Sequence, residues 1–229
     1  MKRGIVLLMA ALMLLALSGC GQGGERDGKT AEGNEMYIEP AKLNEDEKKM
    51  AQLLGGMEGQ TIFDFSADDT LNNVGLPYST GQTIFDFSAD DTVRSLIITT
   101  WKLEDGQWVE YMLDSQRLDE SSGRIALSFE NLTAGCRIAV QTQSGFSAST
   151  RHGEADEELE GMGCTTAYLP QRKEIEYGED IALVIQTFTD KNEVISYDPD
   201  YFEHPEEYEK LGYEGVFAVT ACFSQEPLS

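Results

Sequence analysis

The chain has 229 residues, of which 41% are hydrophobic and 25% are charged, and its 41 Asp and Glu residues outnumber its 17 Lys and Arg residues. A formal net charge of −24 repels phosphate backbones and anionic lipid headgroups, so the composition argues against a nucleic-acid partner. We interpret the acidity as the solvated surface of an exported domain. The alternative is that the acidic residues attract cations or a basic partner.

The first 19 residues have the features of a secretory signal peptide. Lys2 and Arg3 precede an apolar run from Ile5 to Leu17, which is shorter than the roughly 20 residues that span a bilayer. The sequence LSGC, which ends at Cys20, resembles the lipobox of bacterial lipoproteins. That resemblance implies cleavage before Cys20, lipid on its thiol, and a protein anchored at the extracytoplasmic face of the cell membrane. An ordinary secretory signal with an unrelated cysteine is the alternative.

Residues 20–36 are rich in Gly and charge and have no apolar periodicity, which predicts a flexible tether. The remaining residues, 37–229, suffice for one domain with a substantial hydrophobic core. Within that domain, Asn44 and Glu47 form a capping-box pattern ahead of a Gly-Gly stop, so we expect a short helix over about 44–54.

The sequence GQTIFDFSADDT occurs twice, at 59–70 and at 81–92, and the residues that follow the two copies are unrelated. Repeat architectures keep a pattern across the whole unit and stack three or more units, which this pair does not. The pattern is instead that of an insertion flanked by a direct duplication, so one copy suffices for the sheet. We expect it to be the second copy, which leads directly into Val93. The first would be a surface excursion or an added edge strand, and the two copies would compete for one position.

Period-two alternation from Gln60 onward predicts strands. Asp105-Gly106 predicts a hairpin between its flanking strands, because Asp-Gly supplies the positive φ that a tight turn requires. We expect residues 181–188 to be a central strand that pairs with 192–198, and 215–223 to be buried on both faces. The predicted strands beyond the repeat are 93–103, 108–113, 123–129, 136–142, 164–170, 181–188, 192–198 and 215–223.

Residues 198–212 depart from the period of two. Pro205 followed by two glutamates, with Gly212 as a stop, predicts a short helix there. Together these elements predict a mainly β fold, a single antiparallel β-sandwich domain with one short N-terminal helix and one short helix near the C-terminus.

Catalytic patterns are sparse. His152 lies in a polar stretch, 144–163, that we predict to be a long loop. His152 and His204 each lack a second ligand at metal spacing, and the sequence GFSAS at 145–149 lacks the second glycine of a nucleophile elbow. We therefore predict no catalytic residue, no cofactor and no metal site. A pair of carboxylates acting as acid and base is the alternative, because separation in space decides that function.

Two Asp-Asp pairs lie at the ends of the repeat copies, Asp68-Asp69 and Asp90-Asp91. Carboxylates are calcium ligands, but neither pair has the spacing of a calcium-binding loop. An Asp-Asp-Thr sequence that follows a strand is more typical of a turn, in which the Asp carboxylate accepts a hydrogen bond from a nearby backbone N–H. We therefore interpret both pairs as turns.

Besides Cys20, the chain has three cysteines, and an odd number allows at most one disulfide within the chain. Cys136 and Cys222 lie in alternating strands and are predicted to be small core residues. Cys164 follows a Gly-Met-Gly sequence and is predicted to be the most accessible of the three.

Aromatic residues are the candidates for ligand binding. Trp101 and Trp108 flank the Asp-Gly turn, while Tyr201, Phe202 and Tyr208 lie in an acidic non-strand segment. Exposed rings stack on sugars or peptide side chains, whereas buried rings close the ends of a core. Because binding residues concentrate outside regular strands, we predict an exposed aromatic and acidic patch in this segment.

The folded part of the chain contains the segments NEDEKKMAQLLGG, FDFSADDTVRSL, WKLEDGQW, GRIALSF and SYDPDYFEHPEEYEKLGYEGVFAVT. In these segments it resembles small surface lipoproteins of gut-type Gram-positive bacteria. The resemblance covers most of that part and implies no activity. The sequence thus predicts a non-catalytic surface domain that binds an extracellular ligand or another envelope protein, with an envelope hydrolase using paired carboxylates as the alternative.

Overall fold

The strands of the computed structural model form two antiparallel sheets, and the described residues are 35–47, 81–154, 156–191 and 199–228. The helix α1 spans Pro205–Leu211, and 3₁₀ turns span Glu157–Leu159 and Pro199–Glu203. The strands are β1 (Tyr37–Pro40), β2 (Gly81–Ser88), β3 (Ser95–Glu104), β4 (Gln107–Arg117), β5 (Ser122–Phe129), β6 (Gly135–Thr142), β7 (Phe146–His152), β8 (Gly163–Tyr168), β9 (Lys173–Glu174), β10 (Asp180–Thr189) and β11 (Gly215–Ser224).

One sheet has six strands in the order β7-β6-β5-β2-β1-β9, and the other has five in the order β4-β3-β11-β10-β8. Alternate apolar side chains of both sheets are buried between them, which is the period-two pattern that the sequence showed. This arrangement confirms the predicted antiparallel β-sandwich. We call the buried residues between the sheets the main core; it includes Phe85, Phe87, Leu96, Ile98, Ile125, Leu127, Cys136, Ile138, Phe188, Phe217, Val219 and Phe223.

The predicted Asp105-Gly106 hairpin is confirmed. Both residues have positive φ, 50° and 74°, and they join β3 to β4 with Glu104 opposite Gln107. This is the backbone geometry of the tight turn for which Asp-Gly is preferred.

β10 is an interior strand of the five-stranded sheet, with β11 on one side and β8 on the other. The partner predicted for it is the segment 192–198. Residues 192–198 lie outside the described residues. The end of β10 from which a hairpin would start pairs on one side with β11 and on the other with β8, as in Thr187 opposite Val216 and Thr165. The backbone groups of this end are thus paired with two described neighbours.

The polar segment around His152 is a strand and not the loop that the sequence predicted. β7 pairs with β6 from Gly135 opposite His152 to Gln141 opposite Phe146. It is the last strand of its sheet and most of its residues are exposed on both faces, so no apolar alternation marks it.

The second repeat copy forms β2, as expected, and lies between β1 and β5. The first copy lies outside the described residues. The predicted capping box is present, because Glu47 N donates to Asn44 Oδ1 at 2.9 Å and Asn44 N donates to Glu47 Oε2 at 2.9 Å. Residues 45–47 form the first helical turn, and the rest of the predicted helix at 44–54 lies outside the described residues.

Side chains close one side of the sandwich, where β4 of one sheet approaches β7 of the other. Asp114, buried at 3% side-chain exposure, accepts from Arg151 Nη2 at 2.6 Å and from Arg151 Nε at 3.0 Å. Gln116 donates to the other carboxylate oxygen of Asp114 at 3.0 Å and accepts from the Ser147 hydroxyl. These contacts join two sheets that share no backbone ladder at this side.

Within the described ranges, no helix is long and apolar enough to cross a membrane.

Candidate functional site

Four of the five predicted ligand-binding residues meet on the outer face of the five-stranded sheet. Trp101 on β3 and Trp108 on β4 face Phe202 of the 3₁₀ turn and Tyr208 of α1. We call this second hydrophobic cluster the outer cluster. Its buried members are Ile185, Tyr208, Val216 and Ala218, and its partly buried members are Trp101, Leu103, Trp108, Phe202 and Tyr213.

Ring stacking holds the outer cluster together. The ring centroids of Trp108 and Phe202 are 4.9 Å apart at an interplanar angle of 21°, which is a stacked pair. Tyr208 meets Trp108 edge-on at 6.1 Å, and Trp101 lies 6.3 Å from Phe202. Such pairs contribute about 0.5–1.5 kcal/mol each beyond the burial of their area.

Both indole N–H groups of the outer cluster have hydrogen-bond acceptors. Trp108 Nε1 donates to the Phe202 carbonyl oxygen at 2.8 Å, which ties the 3₁₀ turn to β4. Trp101 Nε1 donates to Thr220 Oγ1 at 2.9 Å, and the Thr220 hydroxyl donates in turn to Asp180 Oδ1 at 2.7 Å. Because their polar atoms are satisfied inside the protein, the two tryptophans form a fixed support for the turn above them.

Tyr208 is buried, in contrast to the exposed patch predicted for its segment. It is only 1% exposed, whereas Tyr201 is 38% exposed. Tyr208 lies on the face of α1 that covers the sheet, and Tyr201 lies on the outer side of the 3₁₀ turn. Of the five candidates, Tyr201 therefore presents the most accessible ring.

Tyr201 borders an open cleft of about 280 Å³ beside the outer cluster. Lys173 Nζ, on β9 of the six-stranded sheet, lies 2.5 Å from Asp200 Oδ1 on the 3₁₀ turn. This ion pair links the turn to the six-stranded sheet, so β9 and the turn together line the cleft. The described residues that line it are Lys173, Asp200, Tyr201, Glu203 and His204.

The cleft presents one aromatic ring together with cationic, anionic and imidazole groups. His204 Nδ1 lies 3.6 Å from Glu206 Oε1, and the His204 N–H of the backbone donates to the Tyr201 carbonyl oxygen at 2.9 Å. A ring flanked by hydrogen-bond donors and acceptors suits a ligand that has an apolar face and several polar groups. Sequence reasoning did not single out Lys173, Asp200 or Glu203, because no local pattern marks a lone charge on a two-residue strand or a turn.

No family model, characterised protein or solved structure that was compared with this chain matches it.

The Asp90 side chain forms the turn that the sequence predicted. Asp90 Oδ1 accepts from Thr92 N at 2.8 Å, from the Thr92 hydroxyl at 2.6 Å and from the Tyr177 hydroxyl at 2.8 Å. These hydrogen bonds, above all the one from the Thr92 hydroxyl, lower the pKa of Asp90. The corresponding Asp68 lies outside the described residues. In the described part of the chain, no three His, Cys, Asp or Glu side chains gather as metal ligands.

The three cysteines of the domain are free thiols with different exposure. Cys136 is buried in the main core, as predicted, and burial raises its pKa to about 12. Cys164 is exposed, also as predicted, but desolvation by the surrounding protein raises its pKa to about 11. Cys222, predicted to be a core residue, is half-buried on the outer face of β11, because its neighbour Phe223 takes the inner face.

Proposed function

We propose that this chain is a membrane-anchored extracytoplasmic lipoprotein whose β-sandwich is a non-catalytic domain that binds an extracellular ligand or another envelope protein. The anchor is supported by the basic start, the short apolar run and the LSGC sequence ending at Cys20. A lipobox cysteine carries two acyl chains on its sulfur, and two chains give lasting attachment where one gives only marginal binding.

A cell-fractionation experiment tests the anchor. Cys20→Ser removes the thiol that would carry the lipid, so we expect the protein to move from the membrane fraction to the soluble fraction and to lose palmitate labelling. Cys164→Ser is the matched control, because Cys164 is exposed on β8 and lies outside the lipobox. Membrane retention of the Cys20→Ser protein would contradict the anchor.

The binding function is carried by one observation, the exposed ring of Tyr201 on a turn that the protein holds in place. On either side of Tyr201, Pro199 is buried and the Phe202 carbonyl oxygen accepts from Trp108 Nε1. An aromatic ring on a fixed turn loses little conformational entropy when a ligand stacks on it. The donors and acceptors of the cleft then supply the polar contacts that orient the ligand.

A thermal-shift screen of the lipid-free chain against glycans, cell-wall fragments and calcium tests this function, because a ligand that binds only the folded state raises the melting temperature. For any ligand found, Tyr201→Ala should weaken binding about tenfold, from the loss of one stacked ring. Phe146→Ala is the matched control, since Phe146 is 67% exposed on β7 and lies outside the cleft. Equal loss of affinity in both variants would contradict a site at Tyr201.

The hydrolase alternative rests on the two carboxylates that line the same cleft, Asp200 and Glu203. An enzyme of this kind would release reducing ends from a bound glycan, and Glu203→Gln would abolish the release without removing the Tyr201 contact. Binding without product release supports the non-catalytic domain.

A further inference from the structure

The position of β2 is an interior slot in the six-stranded sheet. β2 pairs with β5 along its whole length, from Gly81 opposite Phe129 to Ser88 opposite Ser122, and with β1 on its other side. Phe85 is 0% exposed and Phe87 is 2% exposed, so both rings fill the main core. A sandwich that lost this strand would lose two buried aromatic side chains and the ladder on both sides.

Side-chain contacts specify the occupant of the slot. Asp86 Oδ1 accepts from Arg124 Nε at 2.7 Å, and the ring of Phe87 lies 5.2 Å from that of Phe223. Just after β2, the Asp90 carboxylate accepts from the Tyr177 hydroxyl. Each residue between 81 and 92 that makes one of these contacts has an identical residue 22 positions earlier.

We propose that this slot binds either copy of the repeat, so that the chain exchanges between a major state with 81–92 in the sheet and a minor state with 59–70 there. Residues 59–70 lie outside the described part of the chain, but their sequence is identical to that of the occupant. The contacts inside the slot therefore have the same energy in both states, and the connecting segments alone set the populations.

The minor state is within reach of the chain. Glu47 Oε1 lies 2.9 Å from Arg124 Nη1, and Arg124 is opposite Asp86 in the β2–β5 ladder. Asp86 lies about 17 Å along β2 from residue 81, at ~3.4 Å per residue. The connection from Glu47 to the slot would shorten to residues 48–58, and a segment of that length spans up to roughly 36 Å.

The major state is favoured because it leaves the connection from the slot to β3 short. In the minor state, residues 71–92 would form an added loop between Thr70 and Val93. The cost of closing a loop grows only with the logarithm of its length, so the preference for the second copy is on the order of ten- to a hundredfold. This preference is small enough for destabilising substitutions in the second copy to make the minor state the more populated one.

Redundancy of the two copies is the measurable consequence. Phe85→Ala with Phe87→Ala should lower the melting temperature by only a few degrees, because the first copy enters the slot. Phe63→Ala with Phe65→Ala should leave it unchanged. All four substitutions together should lower it by at least about 12 °C or prevent folding, since two core aromatics are then lost with no replacement.

A single-copy chain is the matched control. Deletion of residues 71–92 joins Thr70 to Val93 and should leave the melting temperature nearly unchanged, whereas Phe63→Ala with Phe65→Ala in that chain should cause the full loss. If Phe85→Ala with Phe87→Ala in the full chain causes the same loss as this control, the slot accepts one copy only and the exchange is refuted.

A disulfide crosslink identifies the occupant directly. Ile84 lies opposite Ala126 across the β2–β5 ladder, so Ile84→Cys with Ala126→Cys reports the major state. Ile62→Cys with Ala126→Cys reports the minor state, and it should crosslink in the Phe85→Ala, Phe87→Ala chain. Crosslinking of the first pair in the otherwise unchanged chain, with no crosslinking of the second pair in the Phe85→Ala, Phe87→Ala chain, overturns the proposal.

Discussion

The main core and the outer cluster show two ways in which this chain buries apolar side chains. The main core is built by neighbouring strands whose alternate residues face the same side, such as Ile125 and Leu127 on β5. The outer cluster joins residues from β3, β4, β10 and β11 with a 3₁₀ turn and α1, and it keeps several members half-exposed. Strand pairing organises most of the first, whereas the second also needs indole hydrogen bonds to fix its parts.

The two clusters therefore have different tasks. The main core accounts for most of the apolar burial and so for most of the stability of the fold. The outer cluster uses its rings to hold the turn that carries Tyr201 beside the cleft. A site supported from below in this way keeps its geometry while its own surface stays accessible.

The largest expected difference between the main core and the outer face of the five-stranded sheet is in thiol reactivity. Cys136 belongs to the main core, and burial raises its pKa to about 12; Cys222 lies on the outer face, where desolvation raises its pKa to a smaller extent. Thiolate is the reactive form, so a pKa three units above the ordinary thiol value of 9.0 leaves about a thousandfold less of it at pH 8. We expect mass spectrometry after labelling of the native protein to find Cys222 modified and Cys136 unmodified.

The stability of the protein at high pH is a second test of the burial of Cys136. Because the folded-state pKa of Cys136 lies above its unfolded value, its contribution to stability is complete below about pH 9 and is lost as pH rises toward 12. Cys136→Ala should reduce this alkaline loss. Rapid labelling of Cys136 at pH 8 in the folded protein would contradict its place in the main core.

A smaller difference is expected between two aromatic truncations. Phe217 is 1% exposed between the rings of Tyr111 and Phe188, so Phe217→Ala should lower the free energy of unfolding by about 3–5 kcal/mol. Trp108 is half-buried, and Trp108→Ala should cost about 2 kcal/mol from lost burial and one lost hydrogen bond. Urea denaturation of the two variants measures the difference.

Ligand affinity provides the second readout of these variants. Trp108→Ala removes the donor to the Phe202 carbonyl oxygen, so it should also weaken binding at the Tyr201 cleft. Phe217→Ala should not, as long as the variant is folded. Equal effects of the two substitutions on both stability and binding would mean that the clusters are one cooperative unit.

The predictions that succeeded depend on contacts close in sequence. Asn44 and Glu47 form their capping box across three residues, Asp90 bonds to Thr92 across two, and Asp105-Gly106 closes its hairpin by itself. Alternation along β5, β6 and β11 places their apolar residues correctly, since each strand is interior to its sheet and its inner face is buried. Periodicity also identifies the sandwich as a class of fold.

The predictions that failed involve residues whose surroundings come from elsewhere in the chain. β7 is polar because it is an edge strand, and its pairing with β6 decides its conformation. No local pattern predicts the burial of Asp114, whose partner Arg151 comes from the other sheet. Tyr208 and Tyr201 are seven residues apart in one acidic segment, yet only the helix that packs on the outer cluster separates a buried ring from an exposed one.

The sequence by itself determined the local turns, the alternating strands and the expectation of a lipid anchor, because each of these depends on neighbouring residues and their chemical types. The tertiary structure alone decided the order of the strands, the closure between β4 and β7, and the cleft where Lys173 meets Asp200. These features join segments far apart in the chain, and the free energy that selects them comes from burial and pairing in the assembled fold.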